Sequence, residues 1–149
     1  MKNKIALLSL ALVAFGTVST VNTKPAFSQT TNICPSSPVP TGWVVTGTFT
    51  SNQCGNFTNM RTITRADGYR SLNICPSSPV PTGWVVTGTF TSNQCGNFTN
   101  TRTITRADGY RSLNICPSSS VPTGWVVTGT FTSNQCGNFT NMRAITRLF

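Results

Sequence analysis

Chemical capacity in this 149-residue chain rests on six cysteines, three tryptophans and eight arginines. Most recur at one spacing of 41 residues: Cys34 and Cys54, Cys75 and Cys95, Cys116 and Cys136; Trp43, Trp84 and Trp125; Arg65 and Arg106, each followed by a second arginine at Arg70 and Arg111. Six cysteines in an exported chain read as three disulfides. They do not read as a metal centre, because cysteines 20 apart lack the short pairs of structural zinc sites. The chain has no His and no Glu, so it lacks the usual proton shuttles and the catalytic triad. Asp67 and Asp108 occupy equivalent turns of separate copies, whereas a glycosidase needs two carboxyls across one substrate. The expectation is therefore a protein with no catalytic residues, metal or cofactor.

The spacing reflects a repeat. Copies begin at Asn32, Asn73 and Asn114; the first two differ only by Met60 against Thr101, and the third departs from the first only at Ser120 for Pro38 and Ala144 for Thr62. Residues 1–28 read as a signal peptide, with Lys2 and Lys4 at the charged start, an apolar run from residue 5 to 15, and Ala26-Phe27-Ser28 as a small-x-small cleavage site. Residues 29–72 form repeat 1 with its connector, 73–113 repeat 2 with its connector, and 114–149 a truncated repeat 3. No later stretch is apolar for the 20 or so residues that a membrane helix needs.

Repetition leaves two regular disulfide patterns, one within repeats and one joining neighbours. Their loops of 20 and 21 residues differ too little in closure entropy to decide between them. The unit present three times over, residues 32–65, 73–106 and 114–147, holds both of its cysteines, while the connector occurs only twice. Pairing within repeats, Cys34–Cys54, Cys75–Cys95 and Cys116–Cys136, is the expectation.

The elements follow from pattern. Pro35, Pro38 and Pro40 make an extended or turning arm. Residues 43–50 alternate as a strand, with Trp43, Val45, Gly47 and Phe49 on one parity and Val44 and three threonines on the other. Residues 60–65 form a second strand, and Asp67-Gly68 is a hairpin signal leading to a third over 69–74. That register sets Arg65 opposite Arg70 and Arg106 opposite Arg111, two forked pairs able to clamp an anion, and leaves Arg147 without a counterpart. The fold class is all-β: three tandem, disulfide-stapled β-meander repeats of about 41 residues, arranged in a row because so small a unit needs neighbours or a staple. The alternative is a closed pseudo-threefold β domain, against which the missing last connector leaves the third unit a strand short. Each copy offers Ile33, Val39, Trp43, Val44, Val45, Phe49, Phe57 and Ile63 as its core.

The pattern Cys-Pro-x-Ser-Pro-x-Pro-x-Gly-Trp-Val-x-Thr, closed by Cys-Gly about twenty residues later, resembles short exported bacterial proteins built from tandem Cys-paired repeats. The resemblance covers nearly all of the chain beyond residue 28. It implies module and compartment, secreted or at the cell surface or periplasm, and carries no functional residues across.

Beyond residue 28 the eight arginines face two aspartates, a net of +6. Such a balance suits anionic partners. The expected function is multivalent binding of an acidic or neutral extracellular glycan or an anionic envelope surface, with nucleic acid ranked behind. Arg65, Arg70, Arg106 and Arg111 would hold anions, while Trp43, Trp84 and Trp125 would stack sugars beside the polar Asn52, Gln53, Asn56 and Thr58. The rival readings are a precursor of small cationic disulfide peptides and a passive surface or matrix protein.

Overall fold

The computed structural model describes residues 29–55, 58–96 and 99–149; the expected signal peptide lies outside them. Among the described residues nine strands form three antiparallel three-stranded sheets, one after another along the chain. The first holds β1 (Thr30–Ile33), β2 (Trp43–Ser51) and β3 (Thr58–Arg65); the second β4 (Ser71–Ile74), β5 (Trp84–Ser92) and β6 (Thr99–Arg106); the third β7 (Ser112–Ile115), β8 (Trp125–Ser133) and β9 (Thr140–Arg147). In each sheet the last strand in sequence lies in the middle, in the order β1-β3-β2 and its equivalents. Disulfides join Cys34 to Cys54, Cys75 to Cys95 and Cys116 to Cys136, with Cα atoms 5.3 to 5.5 Å apart. The all-β row of three stapled repeats is thus as the sequence led one to expect.

The local geometry follows from the residues. Gly42 takes φ +80°, a region open to glycine at little cost, and lets the Trp43 N–H reach back to the Pro40 carbonyl at 3.1 Å. That turn launches β2. Thr46 stands opposite no residue of β3, because the register slips between Val45 and Gly47, and its hydroxyl instead bonds Thr64 Oγ1 at 2.9 Å. Such a bulge breaks the alternation of faces. The expected aromatic face is lost with it: Val44 and Val45 are both buried, whereas Phe49, Phe90 and Phe131 are each about 40% exposed.

Asp67-Gly68 does not make the expected hairpin. Residues Ala66–Gly68 form a single 3-10 turn closed by the Tyr69 N–H on the Ala66 carbonyl at 3.0 Å, and neither central residue has the positive φ that a two-residue hairpin turn requires. The physical reason lies in the sheet. Both edges of β3 are already paired, to β1 and to β2, so the chain has no edge to return to. It crosses instead to the next sheet, where residues Ser71–Ile74 pair with β6. The connector strand therefore serves its successor, and the third sheet is complete with β7.

Apolar side chains pack between sheets as well as within them. Val44 of the first sheet clusters with Ile74, Trp84 and Ile104 of the second, and Val85 of the second with Ile115, Trp125 and Ile145 of the third. The Cys75–Cys95 staple lies against Val45 and Ile63 of the preceding sheet. Each unit thus buries its core on a neighbour, as repeat arrays do. The row does not close, because Val126 and Val127 of β8, the counterparts of the fully buried Val44 and Val45, are 39% and 45% exposed.

Candidate anion-binding face

The eight arginines divide into two structural classes. Arg61, Arg102 and Arg143 sit opposite Ile33, Ile74 and Ile115 in the sheets, and each turns its guanidinium back onto the Cys-Pro-Ser-Ser turn of its own unit. Arg102 Nη2 donates to the carbonyls of Cys75, Pro76 and Ser78 at 3.4, 2.8 and 2.6 Å. Arg61 and Arg143 repeat the arrangement. Burial lowers the pKa of Arg102 from its ordinary value. These three are clasps for a proline-containing turn, which has few backbone N–H groups of its own to satisfy nearby carbonyls. The hairpin register expected from Asp67-Gly68 assigned these three arginines no such role.

The remaining arginines come together differently from the expected clamp. Arg65 does not face Arg70. The Arg70 carbonyl accepts the backbone N–H of Arg106 at 2.9 Å, and the Arg111 carbonyl that of Arg147 at 2.9 Å. The arginine neighbours are therefore Arg70 with Arg106 and Arg111 with Arg147, and Arg147 has a counterpart after all. Arg70, Arg106, Asp108 and Tyr110 share a shallow recess.

Arg65, Arg106 and Arg147 end the equivalent strands β3, β6 and β9, and all three line one open cleft of about 530 Å³ together with Asp67 and Asp108. Arg65 bridges Asp67 at 2.8 Å, and Arg106 bridges Asp108 through Nε at 2.9 Å and through Nη2. Arg106 Nη1 also reaches the Asp67 carbonyl at 3.4 Å, tying adjacent repeats. The Arg106 hydrogen bond holds the Asp108 carboxyl below its usual range, and Asp108 in turn raises Arg106. Arg147 lacks an equivalent aspartate, since Leu148 and Phe149 stand where Ala66-Asp67 and Ala107-Asp108 stand. It acts instead on Asp108 of the preceding repeat, whose carboxyl it helps to hold down through space.

No family model, curated protein or solved structure matches the chain. The site therefore rests on its own geometry.

Sugar stacking on the tryptophans does not fit that geometry. Trp84 and Trp125 are only 8% and 9% exposed, and Trp43 is half-buried. Their rings sit in the clusters between sheets because each is the largest apolar side chain that a unit can supply to a shared core. Trp84 and Trp125 reach the cleft as its wall and present no open ring face. Asn52 and Gln53 follow the far end of β2, eight residues along the strand from Trp43, so they cannot serve the same ligand patch. Asn56 and the side chain of Thr58 fall outside the described residues.

Among the described residues no helix is long and apolar enough to cross a membrane. Three disulfides point to an oxidising extracellular or periplasmic compartment.

Proposed function

We propose that this is an exported, non-enzymatic protein that binds an extracellular polyanion along the arginine row. The observation that carries the reading is the common cleft of Arg65, Arg106 and Arg147, one from each repeat. A planar guanidinium grips carboxylate, sulfate or phosphate through parallel N–H bonds. Arg70 and Arg111 are the backbone neighbours of Arg106 and Arg147, and Arg70 shares a second recess with Arg106, which adds positive charge beside the row. One exposed arginine binds an anion weakly, but tethered copies gain roughly 100-fold or more when a polymer presents matching groups. Acidic glycans and anionic envelope polymers have that form.

The peptide-precursor reading is weaker on this geometry. The stretches between repeats at which such a precursor would be cut, residues 65–70 and 106–111, contain Ala66 and Ala107, buried to 1% and 2% exposure, and run into strands of the next sheet, so cleavage there would cut into packed structure.

The test is binding of a sulfated polysaccharide to the parent chain and to a variant carrying Arg65→Gln, Arg106→Gln and Arg147→Gln. Loss of binding with an unchanged melting temperature supports the proposal. Retained binding at physiological salt would remove it.

A further inference from the structure

Each sheet offers its successor the outer edge of its second strand. At the first junction the Val45 carbonyl accepts the Cys75 N–H at 2.8 Å, the Val45 N–H donates to Ser78 Oγ at 2.8 Å, and the Thr48 N–H donates to the Gln94 carbonyl at 2.9 Å. The second junction repeats this pattern: Cys116 to Val86 at 2.8 Å, Val86 to Ser119 Oγ at 2.9 Å, Thr89 to Gln135 at 2.9 Å. Ser78 and Ser119 are buried by these contacts. The junction is thus a specific set of bonds, formed twice.

Among the described residues two halves of it remain unused. On β8, Val126 and Val127 are 39% and 45% exposed, and among the described residues none meets the outward backbone groups of Val127 and Thr130. At the other end, Cys34, Ser37 and Gln53 stand where Cys75, Ser78 and Gln94 stand in the second unit. Their turn is already built: the Ser37 N–H bonds the Cys34 carbonyl at 3.0 Å, as Ser78 bonds Cys75 at 2.9 Å, and Arg61 clasps it as Arg102 does. Ser37, unlike its buried counterparts, is only half-buried.

We propose that these two faces are the halves of a further junction made between two copies of this chain. The β8 edge of one molecule docks on the Cys34, Ser37 and Gln53 face of the next. Cys34 N–H then meets the Val127 carbonyl, Val127 N–H meets Ser37 Oγ, and Thr130 N–H meets the Gln53 carbonyl. The two faces differ, so the contact is head to tail, and every addition leaves both faces free at the ends. Thr31 stands where Leu72 and Leu113 stand, and Leu72 packs in the internal junction. The contact between molecules is therefore weaker than the internal one, and it lacks the tether that gives the internal halves a high effective concentration. Assembly depends on concentration.

Glycine geometry supplies the decisive variant. A Cβ on Gly47 or Gly88 would press on the carbonyl oxygen of Gln94 or Gln135 at 3.4 Å, while on Gly129 it meets nothing within 4 Å. Gly129→Glu therefore fits the free molecule and obstructs the docked one. Ser37→Lys blocks the opposite face. Analytical ultracentrifugation of the purified, oxidised chain, without polyanion and in high salt, from about 1 µM to about 1 mM, is expected to show a rising series of masses. Each variant alone should remain monomeric with the melting temperature of the parent, and the two mixed should form a one-to-one dimer that grows no further. A parent that stays monomeric throughout, a parent that stops at a dimer by pairing β8 with β8, or a folded Gly129→Glu chain that assembles like the parent would each overturn the proposal.

Discussion

Arg106 donates its backbone N–H to the carbonyl of Arg70 at 2.9 Å, so an arginine from the connector of repeat 1 and one from the last strand of repeat 2 lie side by side at the end of one sheet. Arg111 and Arg147 are related in the same way. The second pair lacks the aspartate that neutralises the first. Arg111→Thr should therefore weaken binding to a sulfated polymer more than Arg70→Thr, each by about two- to fivefold as befits exposed charges. Isothermal titration at two salt concentrations checks the order, and the fold should survive both changes because each removes a like charge beside another.

Identical valines should carry unequal loads. Val85 is fully buried between sheets while Val126 is 39% exposed. Val85→Ala should cost about 1–3 kcal/mol, and Val126→Ala less than about 1 kcal/mol, because burial and cavity cost scale with what the side chain leaves behind. Denaturant unfolding of the two variants measures the contrast. Equal losses would mean that the third sheet is covered as the second is.

The clasp arginines should behave oppositely to the row. Arg102→Met removes the donor to three carbonyls and should destabilise by about 1–3 kcal/mol through lost charge-assisted bonds. Polyanion affinity should hardly change. Thermal unfolding and binding on the same sample separate the two classes.

Acid should loosen the second ion pair and strengthen binding. The folded value of Asp108 is held below the usual carboxylate value by Arg106, so the pair's small stabilisation is present above about pH 4 and is lost as pH falls through that lower folded value. Protonation frees Arg106 for the ligand. Affinity for a sulfated polymer, which stays ionised, should therefore rise below about pH 4, and Asp108→Asn should reproduce the rise at neutral pH by about two- to fivefold. A pH series on both chains checks the sign.

Period, cysteine pairing and β-branched runs were legible in the sequence because each is local or follows from copy number. The fate of Asp67-Gly68 was not. A short Asp-Gly signal favours a hairpin only where the preceding strand has a free edge, and β3 has none once β1 lies against it. From that one misplacement followed the mistaken pairing of Arg65 with Arg70 and the supposed absence of a partner for Arg147. The bulge at Thr46 was equally hidden, and it moved Phe49 from the expected core to the surface. The clasp of Arg61 could have been suspected from its recurrence in all three copies beside a turn poor in N–H donors.

The claim of a row of weak sites that gain by repetition is tested most directly by affinity against ligand length. A graded set of sulfated oligosaccharides, measured by titration at fixed physiological salt, should show affinity climbing steeply as the chain grows from one anionic group to a length that spans Arg65, Arg106 and Arg147, then levelling. Truncating the row with Arg147→Gln should lower the plateau while leaving the shortest ligands little changed. Affinity independent of length, or a plateau unmoved by that substitution, would contradict it.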